Sequence, residues 1–310
     1  MRKEDIYYGS RDGHTRIHAV KWIPDGEIKS ILLLIHGMAE HIGRYDEAAA
    51  YFAERGILVA GNDLSGHGDS IPEDGMPGYF CEQDPATVLV RDVHRLKKLL
   101  QEEYPNVPIL ILGHSMGSFI LRNYMFKYGT GIQGAIIVGT GTKKKIMIKC
   151  SIMLAGLQKL FLGDRHVAYL LDKLAFGDKS KIEASHRNDW LCTDHSVVEK
   201  YDADPLCGFV FTVNGFRTML ALIDRLNNDS NTAQIPKELP VLMVSGAEDA
   251  VGDCGAGVRR AYEKYVAAGM KNIKLKLYEN MRHEILNETE KAVVYADIYE
   301  FINTVTEQYK

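Results

Sequence analysis

Residues 108–117 read PILILGHSMG, and the chain continues as SFIL to residue 121. The first half is a short apolar run typical of a buried strand, and the residues after the motif have helical spacing. Between them lies a G-x-S-x-G motif, which carries meaning when it sits on a strand–turn–helix junction. Such a turn strains the backbone of its central residue, Ser115, and Gly113 and Gly117 leave room for it. The segment predicts a nucleophilic serine, although a bare five-residue motif also arises by chance.

Composition and charge are those of an ordinary globular protein. The 310 residues are 46% hydrophobic and 25% charged, with a net charge of −4, so no basic excess is available to neutralise nucleic-acid phosphates. No apolar run approaches the ~18 residues of a membrane span, and residues 1–8 lack the apolar centre of a secretory signal. The 5 cysteines form no C-x-x-C pair, which is typical of free thiols in a reducing compartment. We therefore expect a cytoplasmic protein without a nucleic-acid partner.

Strands and helices alternate along most of the chain. Apolar runs predict strands at residues 30–35, 57–60, 108–112, 134–139, 240–244 and 273–278. Amphipathic stretches predict helices at residues 44–55, 84–104, 214–226, 257–268 and 289–305, and a further helix begins with the apolar spacing of residues 118–121. Two short strands around a turn at residues 12–13 are expected to pair at the edge of the sheet. This alternation predicts an α/β fold with a doubly wound, mostly parallel sheet and helices on both faces.

The alternation is interrupted between residues 142 and 211. This segment contains three consecutive lysines at 143–145 and several apolar patches, but no convincing strand. We interpret residues 1–141 and 212–310 as one α/β core, and residues 142–211 as an inserted helical lid. The lid is expected to lie over the carboxyl edge of the sheet, where ligands bind in such folds.

An activated serine needs a general base, an acid that orients the base, and donors for the oxyanion. In an α/β sheet the acid and then the histidine follow the serine, each at the carboxyl end of a strand. The loop after the strand at 240–244 offers Asp249 as the acid, with Glu248 and Asp253 as fallback candidates. Of the 11 histidines, His283 is the one that follows the last predicted strand. It is the candidate base.

The predicted oxyanion donors are two backbone N–H groups. One belongs to Met116, directly after the serine, and the other to Met38, in the loop after the strand at 30–35. Each such donor typically stabilises the transition state by ~3 kcal/mol. Met38 can alternatively serve as an apolar residue that faces the lid. The histidines show no ligand spacing such as H-E-x-x-H, so we expect neither a metal site nor a cofactor.

Four motifs together resemble the α/β-hydrolase superfamily, in its monoacylglycerol lipase and lysophospholipase-like branch. They are HGMAEH at 36–41, DLSGHGDS at 63–70, GHSMG at 113–117, and the loops of Asp249 and His283. The resemblance covers residues 25–140 and 212–305. It implies an α/β-hydrolase fold with an eight-stranded sheet, and a serine ester hydrolase that forms an acyl-enzyme on Ser115. Its expected substrate is a hydrophobic monoester. Proline-specific peptidases of this fold usually carry H-G-G-P-G at the first loop, where this chain has HGMAEH.

The resemblance also implies a polar pocket for glycerol. In monoacylglycerol lipases a first-loop glutamate and a following arginine help to bind glycerol, and Glu40 and Arg44 occupy those positions. A second histidine, three residues after the catalytic one, completes the pocket in the mammalian enzymes. Here that position is Leu286. The alternative for Glu40 and Arg44 is a surface ion pair at the start of a helix.

The substrate and the lid leave alternatives open. The apolar residues at 146–162 can pack on the core as a pocket wall, which we favour, or touch a lipid surface beside the three lysines. Within the hydrolases, a short-chain or aryl (cinnamoyl-type) carboxylesterase or a thioesterase is the alternative. From another class, a ligand-binding protein of this fold can retain the triad and turn over slowly. The sequence does not define the oligomeric state.

Overall fold

The computed structural model describes residues 1–177 and 188–309 of the chain. Residues 178–187, which belong to the predicted lid, and residue 310 lie outside the described residues. The strands are β1 (Arg2–Gly9), β2 (Arg16–Ile23), β3 (Ser30–Ile35), β4 (Ile57–Asn62), β5 (Ile109–His114), β6 (Gly134–Val138), β7 (Val241–Gly246) and β8 (Ile273–Tyr278).

These strands form one 8-stranded sheet in the order β1-β2-β4-β3-β5-β6-β7-β8. The first two pair antiparallel as a hairpin at one edge, and β2 also runs antiparallel to β4. From β4 to β8 every neighbouring pair is parallel, as crossover connections through helices require. The predicted mostly parallel sheet and its antiparallel edge are confirmed.

From β3 onward, helices occupy the connections between the strands. In the described residues they are α1 (Asp46–Ala53), α2 (Pro85–Glu103), α3 (Met116–Tyr128), α4 (Lys145–Leu162), α5 (Tyr169–Phe176), α6 (His195–Ala203), α7 (Val213–Leu226), α8 (Asp229–Ala233), α9 (Ala256–Ala267) and α10 (Lys291–Thr306). Helix α2 begins as predicted, because the Asp84 side chain accepts a hydrogen bond from the backbone N–H of Thr87 and Pro85 follows the cap. The short α8 was not predicted, since its polar sequence has no apolar period.

The helix predicted at residues 44–55 begins later than expected. A 3₁₀ turn spans Ile42–Tyr45, and α1 starts at Asp46. Tyr45 has φ −95° and ψ 8°, outside the α-helical region. The side chains of Arg44 and Tyr45 both bond to Glu40, which holds this turn tight against the preceding loop.

Two hydrophobic clusters cover the two faces of the sheet, and strand β3 shows why. Ile31, Leu33 and Ile35 pack in the cluster that contains α2 and α3. Leu32 and Leu34 point to the other face, in the cluster that contains α1 and α10. Alternate residues of a strand face opposite sides, so a strand covered on both sides needs an unbroken apolar run. Each such side chain contributes roughly 1.5–3 kcal/mol when fully buried.

The described part of the predicted lid, residues 142–177 and 188–211, is helical or irregular. It contains α4, α5 and α6, and within it the structure shows no strand beyond a single bridge between Val167 and Thr212. Helix α4 packs against α7 of the core. Among the described residues, no helix combines the length and apolar character needed to cross a membrane.

Candidate active site

Ser115 occupies a sharp turn between β5 and α3. Its φ of 54° and ψ of −118° are strained for a residue with a side chain. A Cβ on Gly113 would lie 2.3 Å from the carbonyl oxygen of Gly117, and a Cβ on Gly117 would lie 2.1 Å from that of Ile35. Only glycine therefore fits at either position. The strand–turn–helix context that the motif needs is present, and it places Ser115 at the N-terminal, electropositive end of α3.

The structure brings Asp249 and His283 together. The Nδ1 atom of His283 lies 2.9 Å from Oδ1 of Asp249, and both side chains are buried. Asp249 also accepts hydrogen bonds from the backbone N–H of Val251 (2.8 Å) and the hydroxyl of Ser245 (3.0 Å). With its carboxylate held from three sides, Asp249 fixes the ring of His283 in one orientation.

The ionisation of Asp249 follows from these contacts. Burial alone raises the pKa of a carboxyl group, because it disfavours the charged form. Here the charge of His283 and the hydrogen bonds from His283, Val251 and Ser245 outweigh burial and lower the pKa of Asp249. Asp249 is therefore a carboxylate at neutral pH, as an orienting acid must be.

Neither fallback acid contacts His283. Asp253 is partly exposed and pairs with Lys143 and Arg260 at the surface. Glu248 is exposed, and its backbone N–H donates to the carbonyl oxygen of Met281. Among the three acids predicted for this loop, Asp249 is thus the one whose side chain turns inward.

His283 lies beside the serine turn. Its ring centroid is 4.8 Å from that of His114, the residue before Ser115, and 5.2 Å from that of Trp190. A Cβ on Gly139, after β6, would lie 3.1 Å from Cε1 of His283. The nucleophile turn, the end of β6 and the base loop therefore converge at the carboxyl edge of the sheet.

The loop after β3 approaches Ser115 from the other side. A Cβ on Gly37 would lie 3.1 Å from Cβ of Ser115. The backbone N–H groups on either side of Met38 are bonded, that of Gly37 to Oε1 of Glu40 (2.6 Å) and that of Ala39 to Nε2 of His67 (3.3 Å). Within the described part of the chain, the N–H groups of Met38 and Met116 have no hydrogen-bond partner. Two donors are thus available next to the serine.

The DLSGHGDS motif, residues 63–70, holds the loop that contains Met38 through hydrogen bonds. Asp63 accepts hydrogen bonds from the backbone N–H groups of Ile42 (2.8 Å) and Asp69 (3.0 Å) and lies 2.8 Å from Nδ1 of His18. His67, from the same motif, makes the bond to Ala39. The motif therefore shapes the loop of Met38, a role that its sequence alone does not reveal.

Glu40 and Arg44 form a buried cluster, not the surface ion pair considered as an alternative. Nη1 of Arg44 lies 2.8 Å from Oε2 of Glu40 and 2.7 Å from Oε1 of Glu284. Sequence reasoning missed Glu284, whose only signal is its position directly after His283. Leu286 is buried in the cluster that contains α10, and its carbonyl oxygen accepts a hydrogen bond from the hydroxyl of Tyr295 (2.7 Å).

Two groups of potential metal ligands occur in the described residues, and in each the histidine already pairs with an aspartate. The pairs are His41–Asp204 (2.9 Å) and His18–Asp63 (2.8 Å). The full groups are His41, Asp204 and Cys207, and His18, Asp63 and Asp69. Neither contains a residue of the predicted triad.

Comparison with known proteins gives the family. The model of the Hydrolase_4 family, described as serine aminopeptidase, S33, matches residues 26–290. The chain belongs to this family. It is 28% identical over 291 residues to a monoacylglycerol lipase of Mycolicibacterium smegmatis, covering 94% of each protein. It is also 28% identical over 268 residues to a monoglyceride lipase of Rattus norvegicus, covering 86% of the chain and 79% of the relative.

A solved structure agrees over nearly the whole length of this Hydrolase_4 protein. It is a highly thermostable carboxyl esterase from Bacillus coagulans in complex with glycerol, with a TM-score of 0.90, 26% identity, and 99% of both chains covered. The family and these relatives confirm the α/β-hydrolase fold and the monoacylglycerol lipase-like branch. They also confirm the expected enzyme class, a carboxylic ester hydrolase.

Proposed function

We propose that this Hydrolase_4 protein cleaves a hydrophobic monoester, of monoacylglycerol or lysophospholipid type, through an acyl-enzyme on Ser115. The observation that carries the proposal is the buried Asp249–His283 pair beside a strained serine turn. The names of the relatives support the substrate class, since they include monoacylglycerol lipases and a probable lysophospholipase L2 of Haemophilus influenzae at 24% identity.

The proposed reaction gives each part of the site a role. His283 takes the proton of the Ser115 hydroxyl as Oγ attacks the ester carbonyl, and the N–H groups of Met38 and Met116 bind the resulting oxyanion. His283 then gives the proton to the departing alcohol, which leaves an acyl-enzyme. Water attacks this ester while His283 takes a proton from it, and His283 then returns that proton to Oγ of Ser115 as the carboxylic acid leaves. Asp249 keeps the Nδ1 proton in place and stabilises the imidazolium that forms.

The first loop argues against a peptidase role within the same family. Residues 36–41 read HGMAEH. A proline-specific peptidase of this fold would be expected to have H-G-G-P-G at this position. Glu40 uses its carboxylate to hold the N–H of Gly37 (2.6 Å) and the hydroxyl of Tyr45 (3.1 Å). The Glu40 carboxylate therefore stabilises the shape of the loop, and it is not available to bind the amine of a peptide.

We further propose that residues 142–211 act as a lid over this site. Described residues of the segment contact the loops that carry the triad and the donors. The backbone N–H of Glu284 donates to the carbonyl oxygen of Leu191 (2.7 Å), and the hydroxyl of Tyr201 donates to that of Ala39 (3.0 Å). Substrate must then pass the segment to reach Ser115.

Acyl-chain length tests the substrate class. With one alcohol and a series of acyl chains, we expect kcat/KM to rise with length, by about fourfold for each CH₂ that becomes buried. A maximum at short acyl groups would instead support the short-chain or aryl carboxylesterase. Labelling of Ser115 by a fluorophosphonate without turnover of any ester would support the ligand-binding alternative.

One face of α4 packs on the core, through Ile148, Ile152, Leu154 and Ala155, as in the packing that we favoured. The outer face of the helix does not. In α4 only Ile148, Ala155 and Gln158 are buried. Apolar side chains at least 47% exposed extend over α4 and α5; they are Ile146, Met147, Met153, Leu157, Leu160, Phe161, Leu162, Tyr169, Leu170 and Leu174. So many exposed apolar side chains on two consecutive helices favour an interaction site. Exposed Lys144 and Lys145 lie at its edge, so we propose that it contacts an anionic lipid surface.

Flotation with vesicles tests this contact. We expect recovery of the protein with phosphatidylcholine vesicles to increase when phosphatidylserine is added, and to fall severalfold for Leu160→Ser with Phe161→Ser. Val293→Ser is the matched control, since Val293 is 50% exposed on α10, outside the patch. Equal recovery with and without vesicles eliminates the lipid contact.

A further inference from the structure

Arg44 is enclosed by two carboxylates in the interior of the protein. The exposed fractions of the Arg44, Glu40 and Glu284 side chains are 11%, 4% and 3%. Nη1 of Arg44 donates to Oε2 of Glu40 (2.8 Å) and to Oε1 of Glu284 (2.7 Å), and Nη2 donates to Oε2 of Glu284 (2.7 Å). The pair with Glu284 is therefore bidentate, the strongest common geometry for such a pair.

Three of the five N–H groups of Arg44, both on Nη1 and one on Nη2, thus donate to carboxylates of the protein. The face of the guanidinium group is covered as well, since its carbon lies 4.8 Å from the ring centroid of Tyr201. A glycerol hydroxyl would have to displace a charged carboxylate to bond with Nη1. Most hydrogen-bond donors of Arg44 are therefore used within the protein and are not directed at a ligand site.

Each carboxylate of the cluster belongs to a different loop of the active site. Glu40 holds the loop of Met38, because its other oxygen accepts the backbone N–H of Gly37 (2.6 Å). Glu284 directly follows His283, so the bonds to its side chain also fix the backbone of the loop that bears His283. Arg44 is the cation that joins these two loops, and through Tyr201 it also touches the predicted lid.

We propose that Arg44 is a positioning residue that sets the oxyanion donor of Met38 relative to His283, and that it does not bind the alcohol part of the substrate. The proposal rests on the proposed function. Without Arg44, the buried carboxylates of Glu40 and Glu284 would repel each other, although Glu40 would keep its contact with Nδ1 of His114 (3.2 Å). The loops would then move apart, or one carboxyl group would take up a proton. A misplacement of about 1 Å in such a site can reduce turnover by about 100-fold.

The test compares two esters of the same fatty acid, a monoacylglycerol and a p-nitrophenyl ester, in wild type and Arg44→Met. A positioning role lowers kcat by about 100-fold for both esters and leaves the ratio of their KM values unchanged. If only the glycerol ester is affected, or only its KM rises, the proposal is overturned in favour of glycerol binding. Arg225→Met is the matched control, since Arg225 pairs with the exposed Asp84.

A double variant separates positioning from misfolding. Glu284→Gln removes the charge of one of the two carboxylates that lose their bonds to the guanidinium in Arg44→Met, so the double variant should recover about tenfold in kcat over Arg44→Met. No recovery, with the melting temperature of both variants close to wild type, contradicts the proposal. If Arg44→Met does not fold, Arg44→Lys replaces it, and again an equal loss for both esters is expected. Fluorophosphonate labelling of wild-type Ser115 tests the proposed function independently of these ratios.

Discussion

Replacing Ser115 by alanine is expected to abolish ester hydrolysis, with a fall in kcat of about 10⁶-fold. The variant loses the only oxygen at the turn that can form the acyl-enzyme. Alanine has the same backbone restrictions as serine at φ 54°, so the turn should keep its strain and its shape. The measurement is hydrolysis of a p-nitrophenyl ester, together with labelling by a fluorophosphonate probe.

An exposed serine provides the control for this experiment. Ser230, in α8, is exposed and donates its hydroxyl to Asn228 (2.9 Å). Ser230→Ala should hydrolyse and label like wild type. Substantial hydrolysis by Ser115→Ala, in a preparation free of other esterases, would remove the acyl-enzyme mechanism and leave the family assignment unaffected.

The fold was predictable because its signals are local. Strand β3 is an unbroken apolar run since both faces are covered, and α2 carries its own start signal in Asp84 and Pro85. The start of α1 was less predictable, because Arg44 and Tyr45 are held by Glu40 in a 3₁₀ turn. Such side-chain contacts with the preceding loop override the helical period of the sequence.

The candidate site was predictable where a residue's place in the sequence, directly after a strand, also gives its place at the carboxyl edge of the sheet. Ser115, Asp249 and His283 each follow a strand, and the carboxyl ends of parallel strands meet at one edge. The partner of Arg44 was not predictable, since Glu284 lies 240 residues away in sequence. The exposure of α4 was not predictable either. The sequence of an apolar helix has the same pattern whether its surface contacts protein, lipid or water.

Removal of the Asp249 carboxylate is the second large effect that the site predicts. We expect Asp249→Ala to lower kcat by about 10⁴-fold, because Nδ1 of His283 would lose its acceptor at 2.9 Å. The ring could then turn, or carry its proton on the nitrogen that must accept one from Ser115. The measurement is kcat for a p-nitrophenyl ester, with chemical unfolding to verify that the variant is folded.

Two further variants show which property of Asp249 matters. In Asp249→Asn the amide oxygen can still accept from Val251 and His283, while the Ser245 hydroxyl turns to accept from the amide nitrogen. That variant keeps the orientation of His283 and loses only the charge, so its kcat should lie between those of wild type and Asp249→Ala. Asp253→Asn changes the fallback acid of the same loop, which pairs with Lys143 at the surface, and should retain full activity. If Asp253→Asn were the inactive variant, the acid would be misassigned and the buried pair of Asp249 and His283 would be structural.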